Sequence, residues 1–259
     1  MVRAAAFALC VVAGAACRAP VGALQNARAS DEWIRSYPLA ADGELQLTNS
    51  NGAIEIESAP AAAVDVRAER VAHATTDAAA RDLLTHINIR DESLPARVTI
   101  QTDRIAGMLI GVSFEVIYHV KVPVTATVRA RTTNGPITVT GRTTRLVVST
   151  VNGAITGNSV AGAIEARTVN QGVTLDITEV GANPIDVRTT NGAIRLAVPP
   201  DANANLSATV VNGNIDVAGL AFQPFDSQNR RRVRGRINAG GTPIELATVN
   251  GDIQIRERR

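Results

Sequence analysis

Few residues of this chain are spaced as catalysis would require. Its three histidines, His73, His86 and His119, lie far apart and lack metal-ligand spacing. Both cysteines, Cys10 and Cys17, sit near the N-terminus, so the rest of the chain holds no pair for zinc or redox work. There is no Gly-x-Ser-x-Gly elbow and no phosphate-binding glycine loop. A β-helical polysaccharide-degrading enzyme would need clustered carboxylates and aromatic sugar platforms. Asp176, Asp186, Asp201 and Asp216 instead occupy unlike places, and past residue 123 the aromatics are Phe222 and Phe225 alone. The residues therefore point to no enzyme, no cofactor and no metal.

Two groups carry chemistry of another kind. Gly14-Ala15-Ala16-Cys17 has the small residues that precede a lipidated cysteine, with Gly14 where Leu is usual, so Cys17 is a candidate lipidation site. Ordinary cleavage after Ala15, Ala16 or Ala29 is the alternative. Met1-Val2-Arg3 and the apolar run Ala4 to Ala16 read as an export signal too short to span a bilayer, and residues 1–29 are taken as a leader. The second group is Arg230, Arg231, Arg232, Arg234 and Arg236, the sharpest charge cluster in the chain. An anionic polysaccharide, a lipid headgroup or an acidic partner would suit it. The plainer reading is a solvated loop or hairpin. The formal net charge is only +2, which implies no nucleic acid and no membrane contact beyond an N-terminal lipid.

The elements that must position these groups are read from a repeat. Asn51-Gly52, Asn134-Gly135, Asn152-Gly153, Asn191-Gly192, Asn212-Gly213 and Asn250-Gly251 recur in one context, with Asn170-Gln171-Gly172 as a copy whose glycine is displaced by one. Four residues before each Asn stands Leu, Ala or Val. Two before it Thr dominates, and three after it Ile or Val. Polar residues fill most of the positions between, so strand with one apolar face lies on both sides of each turn. Asn-Gly suits a turn because both residues tolerate positive φ. A hairpin meander and a solenoid both satisfy this alternation. The column chemistry favours the solenoid, because like residues recur where they stack over one another about 4.8 Å apart. A ladder of stacked asparagines would then satisfy its own amides.

The 259 residues are 45% apolar but only 3% aromatic, which suits thin regular layers of Ala, Val, Ile, Leu and Thr. The expected fold is all-β: a single-stranded β-solenoid of about six coils over 124–259, right-handed by chain chirality. A basic insertion interrupts it at 221–242. Residues 30–123 are expected to form a mixed cap that carries the first repeat and closes one end against edge pairing. Within it, Val64 to Val71, Val98 to Thr102 and Val112 to Val122 read as strands. Asp77 to His86 reads as a helix with Thr76 as N-cap. Trp33 and Tyr37 read as core anchors, and the charged tail from Arg256 is expected to blunt the far end.

Gly43-Glu44-Leu45, Asn51-Gly52-Ala53-Ile54, Tyr118-His119-Val120-Lys121-Val122-Pro123 and the following Asn-Gly-x-Ile train resemble the putative-adhesin family of bacterial β-strand-repeat proteins, a domain of unknown function. The resemblance covers about residues 31–256. It implies a β-helix-like fold and an envelope or surface location, and it brings no catalytic residues. The expected function is a non-enzymatic binding or scaffolding module, exported to the periplasm or cell surface, whose partner is an envelope protein or polysaccharide. A periplasmic envelope-stress or regulatory module that binds another protein is the alternative, and a β-helical polysaccharide-degrading enzyme comes after it.

Overall fold

The computed structural model describes residues 27–103, 105, 111–226 and 229–258. Residues 1–26 of the expected leader, with Cys10 and Cys17, lie outside them, whereas its last three residues, 27–29, are strand and not leader. In chain order the elements are β1 (Ala27–Pro38), β2 (Glu44–Thr48), β3 (Ile54–Ala59), β4 (Ala63–Ala74), α1 (Asp77–Thr85), β5 (Ile89–Leu94), β6 (Arg97–Thr102) and β7 (Ser113–Pro123). Then follow β8 (Thr127–Arg131), β9 (Ile137–Thr140), β10 (Arg145–Ser149), β11 (Ile155–Ala161), β12 (Ala163–Arg167), β13 (Val173–Glu179), β14 (Ile185–Asn191) and β15 (Ile194–Val198). The last are β16 (Ala204–Asn212), β17 (Ile215–Ala218), β18 (Phe222–Pro224), β19 (Arg232–Ile237), β20 (Thr242–Asn250) and β21 (Ile253–Glu257).

These strands form two sheets. Sheet A runs β1-β4-β7-β3-β9-β11-β13-β15-β21-β17, and sheet B runs β18-β19-β16-β20-β14-β12-β10-β8-β2-β6-β5. Each coil of the chain places one strand in B and the next in A. The stacked levels are β6/β7, β2/β3, β8/β9, β10/β11, β12/β13, β14/β15, β20/β21 and β16/β17, eight in all among the described residues. Six fall in the region expected to form coils. The first repeat and the β6/β7 pair add two more, so residues 44–59 belong to the stack and not to a cap. What closes that end is β1, β4, α1 and β5. Thr76 caps α1 by accepting the Ala79 N–H, and Ala80 and Leu83 are buried beneath it.

Stacking is like on like. One inner column of sheet A reads Tyr118, Ile54, Ile137, Ile155, Val173, Ile194, Ile253, Ile215, each in parallel register with the next. In sheet B, Leu45, Val128, Leu146, Ile164, Ile185 and Ile244 do the same. Most of these side chains are almost wholly buried. Full burial of each such aliphatic contributes about 1.5–3 kcal/mol. Parallel coils make this possible because one turn of chain returns every residue to the same height and face. Tyr118, at the head of its column, bonds the Thr102 hydroxyl at 2.7 Å. Burial there pushes the phenol up to about 12.

Chain order and spatial order part at both ends. The last coil, β20/β21, sits between β14/β15 and β16/β17. The first repeat, β2/β3, sits between β6/β7 and β8/β9. The charged tail therefore does not blunt the far end. There β19 pairs antiparallel on β16, with β18 on β19, and covers the edge of sheet B.

Candidate functional site

The outer face of sheet A carries a concavity of about 770 Å³. It forms where the antiparallel strands β1 and β4 continue the parallel stack. Period-two alternation turns one residue in two outward, and the pairing lays these side by side across five strands. One row is Ile34, Arg67, His119, Glu55, Thr138, and the next is Ser36, Asp65, Lys121, Glu57, Thr140. His119 Nδ1 stands 2.9 Å from Glu55 Oε2. Ser36 donates to Asp65 Oδ1 at 2.6 Å. At the rim Arg67 meets Glu32 at 2.5 Å and holds that carboxyl below its ordinary value by hydrogen bonding and charge. Ile34 stands open beside them, 59% exposed.

This lining can hold polar groups. Ser36 is bonded to a carboxylate and not to a histidine, while His119 is bonded to a glutamate one row away. Among the described residues no group of three or more His, Cys, Asp or Glu could hold a metal ion. The site was illegible in the sequence. Of its strands β1 precedes the 83-residue gap between Asn51 and Asn134, β3, β4 and β7 lie within it and β9 follows it, so no local pattern brings them together.

The repeat asparagines form a continuous side-chain ladder along one edge of the stack. Amide bonds run from Asn134 to Asn51, Asn152 to Asn134, Asn170 to Asn152, Asn191 to Asn170, Asn250 to Asn191 and Asn212 to Asn250, at 2.7–3.1 Å. None of them has positive φ; among the described residues Asp42, Ser159 and Asn238 are the non-glycines that do. The asparagine is thus selected by the ladder and not by a left-handed turn.

Glycine follows for a second reason, close approach. A Cβ on Gly135 would lie 2.1 Å from the Gly52 carbonyl oxygen, and one on Gly153 1.8 Å from that of Gly135. The same contact recurs at Gly52, Gly192, Gly213 and Gly251 against the coil beside each. The buried threonines two places before the Asn donate to these same carbonyls: Thr150 to Gly135 at 3.0 Å, Thr168 to Gly153 at 2.8 Å and Thr248 to Gly192 at 3.0 Å. In the odd copy nothing is inserted. Val173 keeps register with Ile155 and Ile194, and Gln171 stands in the glycine column, where its carbonyl accepts from Thr189 at 2.8 Å. Gly172 follows it, with the Ala193 carbonyl 2.7 Å from where a Cβ would stand.

Three of the four scattered aspartates are engaged by arginine. Asp176 takes Arg258 at 2.6 Å, Asp186 takes Arg188 at 2.8 Å and Asp216 takes Arg256 at 2.6 Å. Arg230 and Arg231 lie in the exposed turn before β19, and Arg232, Arg234 and Arg236 on its outward face.

Residues 36–256 match the Toastrack DUF4097 family. No curated protein matches the chain. A solved structure of a "putative cell adhesion protein" from Clostridium sporogenes ATCC 15579 is similar at a TM-score of 0.51 and 10% identity, over 89% of this chain and 100% of that one. A "putative adhesin" from Bacteroides fragilis NCTC 9343 aligns over 88% of this chain and 97% of its own at 10% identity, but its TM-score of 0.30 is too low to bear on the fold. With the family match spanning nearly all the described residues, and a two-sheet parallel stack built on its repeat, this chain belongs to the Toastrack DUF4097 family.

Proposed function

We propose that this chain is a non-catalytic binding or scaffolding module of the bacterial envelope, and that it takes an extended polar ligand across the outer face of sheet A. The carrying observation is the open groove of about 770 Å³, floored by five strands of a stack that is hydrogen-bonded from end to end. A rigid floor of this kind holds its polar groups in place before the ligand arrives, so little ordering cost is left to binding. Hydroxyls, both signs of charge and an open apolar side chain line it together, a mixture that suits a hydroxyl-rich polymer. The similarity to a solved "putative cell adhesion protein" supports a place at a surface. Export rests on the leader over 1–26, with Cys17 as the residue that would carry a lipid anchor.

The test is a panel of envelope glycans offered to the full chain, with binding and turnover read in parallel. Binding without turnover is expected, weakened about tenfold by a Lys121→Glu, His119→Ala double variant that breaks the two polar rows. Turnover that is lost in Glu55→Gln would overturn the reading. Protease treatment of intact cells then separates outward display, where the chain is cut, from a periplasmic scaffold, where it is shielded. Mass spectrometry of the mature N-terminus tests the anchor: an unmodified terminus past Cys17 removes it.

A further inference from the structure

The arginines at the far end of sheet B are a cluster without acids, unlike most arginines on the rest of that face. Within the stack most outward arginines of that face are matched by acids; Arg131, which bonds the Ser149 hydroxyl at 3.2 Å, is the exception. Arg129 pairs with Glu44, Arg145 with Glu165 at 3.7 Å, Arg167 with Glu165 and Asp186 at 3.2 and 3.3 Å, and Arg188 with Asp186 and Glu245 at 2.8 and 3.5 Å. Among the described residues, the ion pairs include none of Arg230, Arg231, Arg232, Arg234 or Arg236. Their neighbours on β16 in register are Thr209, Ser207 and Asn205, all uncharged. Glu245, across β16 from Arg234, is turned to Arg188. Arg236 is held by the neutral Gln223 side chain at 2.7 and 2.9 Å, which orients the guanidinium without cancelling its charge.

Strand geometry turns this excess into a ruler. Alternation on β19 buries Val233, Gly235 and Ile237 and sends Arg232, Arg234 and Arg236 to one face, about 6.6–6.8 Å apart in single file. Gly235 has no room for a side chain, since a Cβ there would lie 2.4 Å from the Gln223 carbonyl and 2.5 Å from the Phe222 ring. That contact locks β18 against β19. Beside the row Phe225 is 59% exposed, with its N–H on the Arg234 carbonyl at 3.0 Å.

We propose that this terminal hairpin binds a linear anionic polysaccharide, with the arginine row on successive carboxylate, sulfate or phosphate groups and Phe225 against a sugar ring. Single-file cations match a linear polymer better than a broad headgroup plane, and an exposed aromatic next to them supplies the face that a sugar ring stacks on. A second copy of this chain is disfavoured there, because it would bring like charge to like. The proposal does not rest on the sheet A groove, since the two lie on different sheets.

The experiment measures binding of the full chain to heparin and to polygalacturonate at low and high salt. Tight binding that weakens with salt is expected. The triple variant Arg232→Ser, Arg234→Ser, Arg236→Ser should weaken it about tenfold or more, while Arg167→Ser with Arg188→Ser, which removes paired arginines, should change it little. Phe225→Ala should weaken both glycans yet leave inorganic polyphosphate unaffected. The single variant Arg234→Gln carries the test if the triple variant unfolds earlier than wild type. Equal glycan binding by wild type and the arginine variants would overturn the proposal. So would arginine-dependent binding to phosphatidylglycerol vesicles without arginine-dependent glycan binding, or an arginine-dependent dimer. The Lys121→Glu, His119→Ala variant should keep heparin binding, so failure at the groove and failure at the hairpin remain distinct.

Discussion

At the scale of single residues the repeat is a set of complementary reasons for the same three positions. The Asn side chain bonds its counterparts above and below, the following Gly leaves room for the neighbouring coil's carbonyl, and the Thr two places earlier donates to that carbonyl. Gly135→Ala forces a Cβ against the Gly52 carbonyl at a residue with φ 149°. A loss of about 2–4 kcal/mol is expected in denaturant unfolding. Gly181→Ala is the contrast: nothing lies within 4 Å of the new methyl, and φ is not in the left-handed range. It should be neutral or stabilise by about 0.4–1 kcal/mol. Thr168→Val keeps shape and burial but leaves the Gly153 carbonyl without its hydroxyl donor. A cost of about 1–3 kcal/mol is expected, and a cost near zero would mean that the hydroxyl contributes nothing. The turn propensity of Asn-Gly suggested left-handed residues at all these corners. Asn served the ladder instead, a role that a turn rule cannot reveal because its partner is a side chain at least 18 residues away.

At the scale of elements, the last coil is the one that matters most for order. β20 and β21 are internal strands of both sheets although they end the described chain. Ending the chain after Gly241 would strip β14 and β15 of partners on one side and β16 and β17 on the other. Because unpaired strand edges recruit other chains, this truncation is expected to aggregate and not to lose a single coil quietly. A soluble truncated form with the wild-type unfolding midpoint would contradict this. The segment after β21 is pinned as well. Arg258 reaches across β15 to Asp176, which also accepts from Ser159, and the Arg258 hydrogen bond is the first reason that the Asp176 carboxyl sits below its ordinary value. A depressed folded value means stability that is present above the unfolded pKa and lost as pH falls through the folded one. Both side chains are about one-third exposed, 34% and 35%, so screening keeps the contribution to about 1 kcal/mol or less. Thermal midpoints of wild type and Asp176→Asn should differ at neutral pH and converge below about pH 4. A gap that persists in acid would mean that packing, not charge, accounts for it.

At the scale of the whole molecule the stack behaves as a one-dimensional array, each level touching mainly the next. The two ends are managed differently. One is extended by β1, β4, α1 and β5, and the other is covered on sheet B by the arginine hairpin while β17 remains the edge of sheet A. Periodicity by itself determined the strands, the buried columns and the asparagine ladder, because a coil that returns to the same height imprints its neighbour's chemistry on its own sequence. Burial of Tyr37, the capped helix at Thr76 and the inward face of β7 were legible for the same kind of reason, a pattern closed within a few residues. Only the tertiary structure decided that the first and last repeats are each set one level in from the end. Identical repeats pair equally well in several orders, so nothing in a local pattern selects one. The same holds for the groove, which is assembled from strands far apart in the chain, and for the charge of the terminal hairpin. An arginine's partner is set by which strand lies alongside, and the sequence alone does not say whether that neighbour carries a carboxylate.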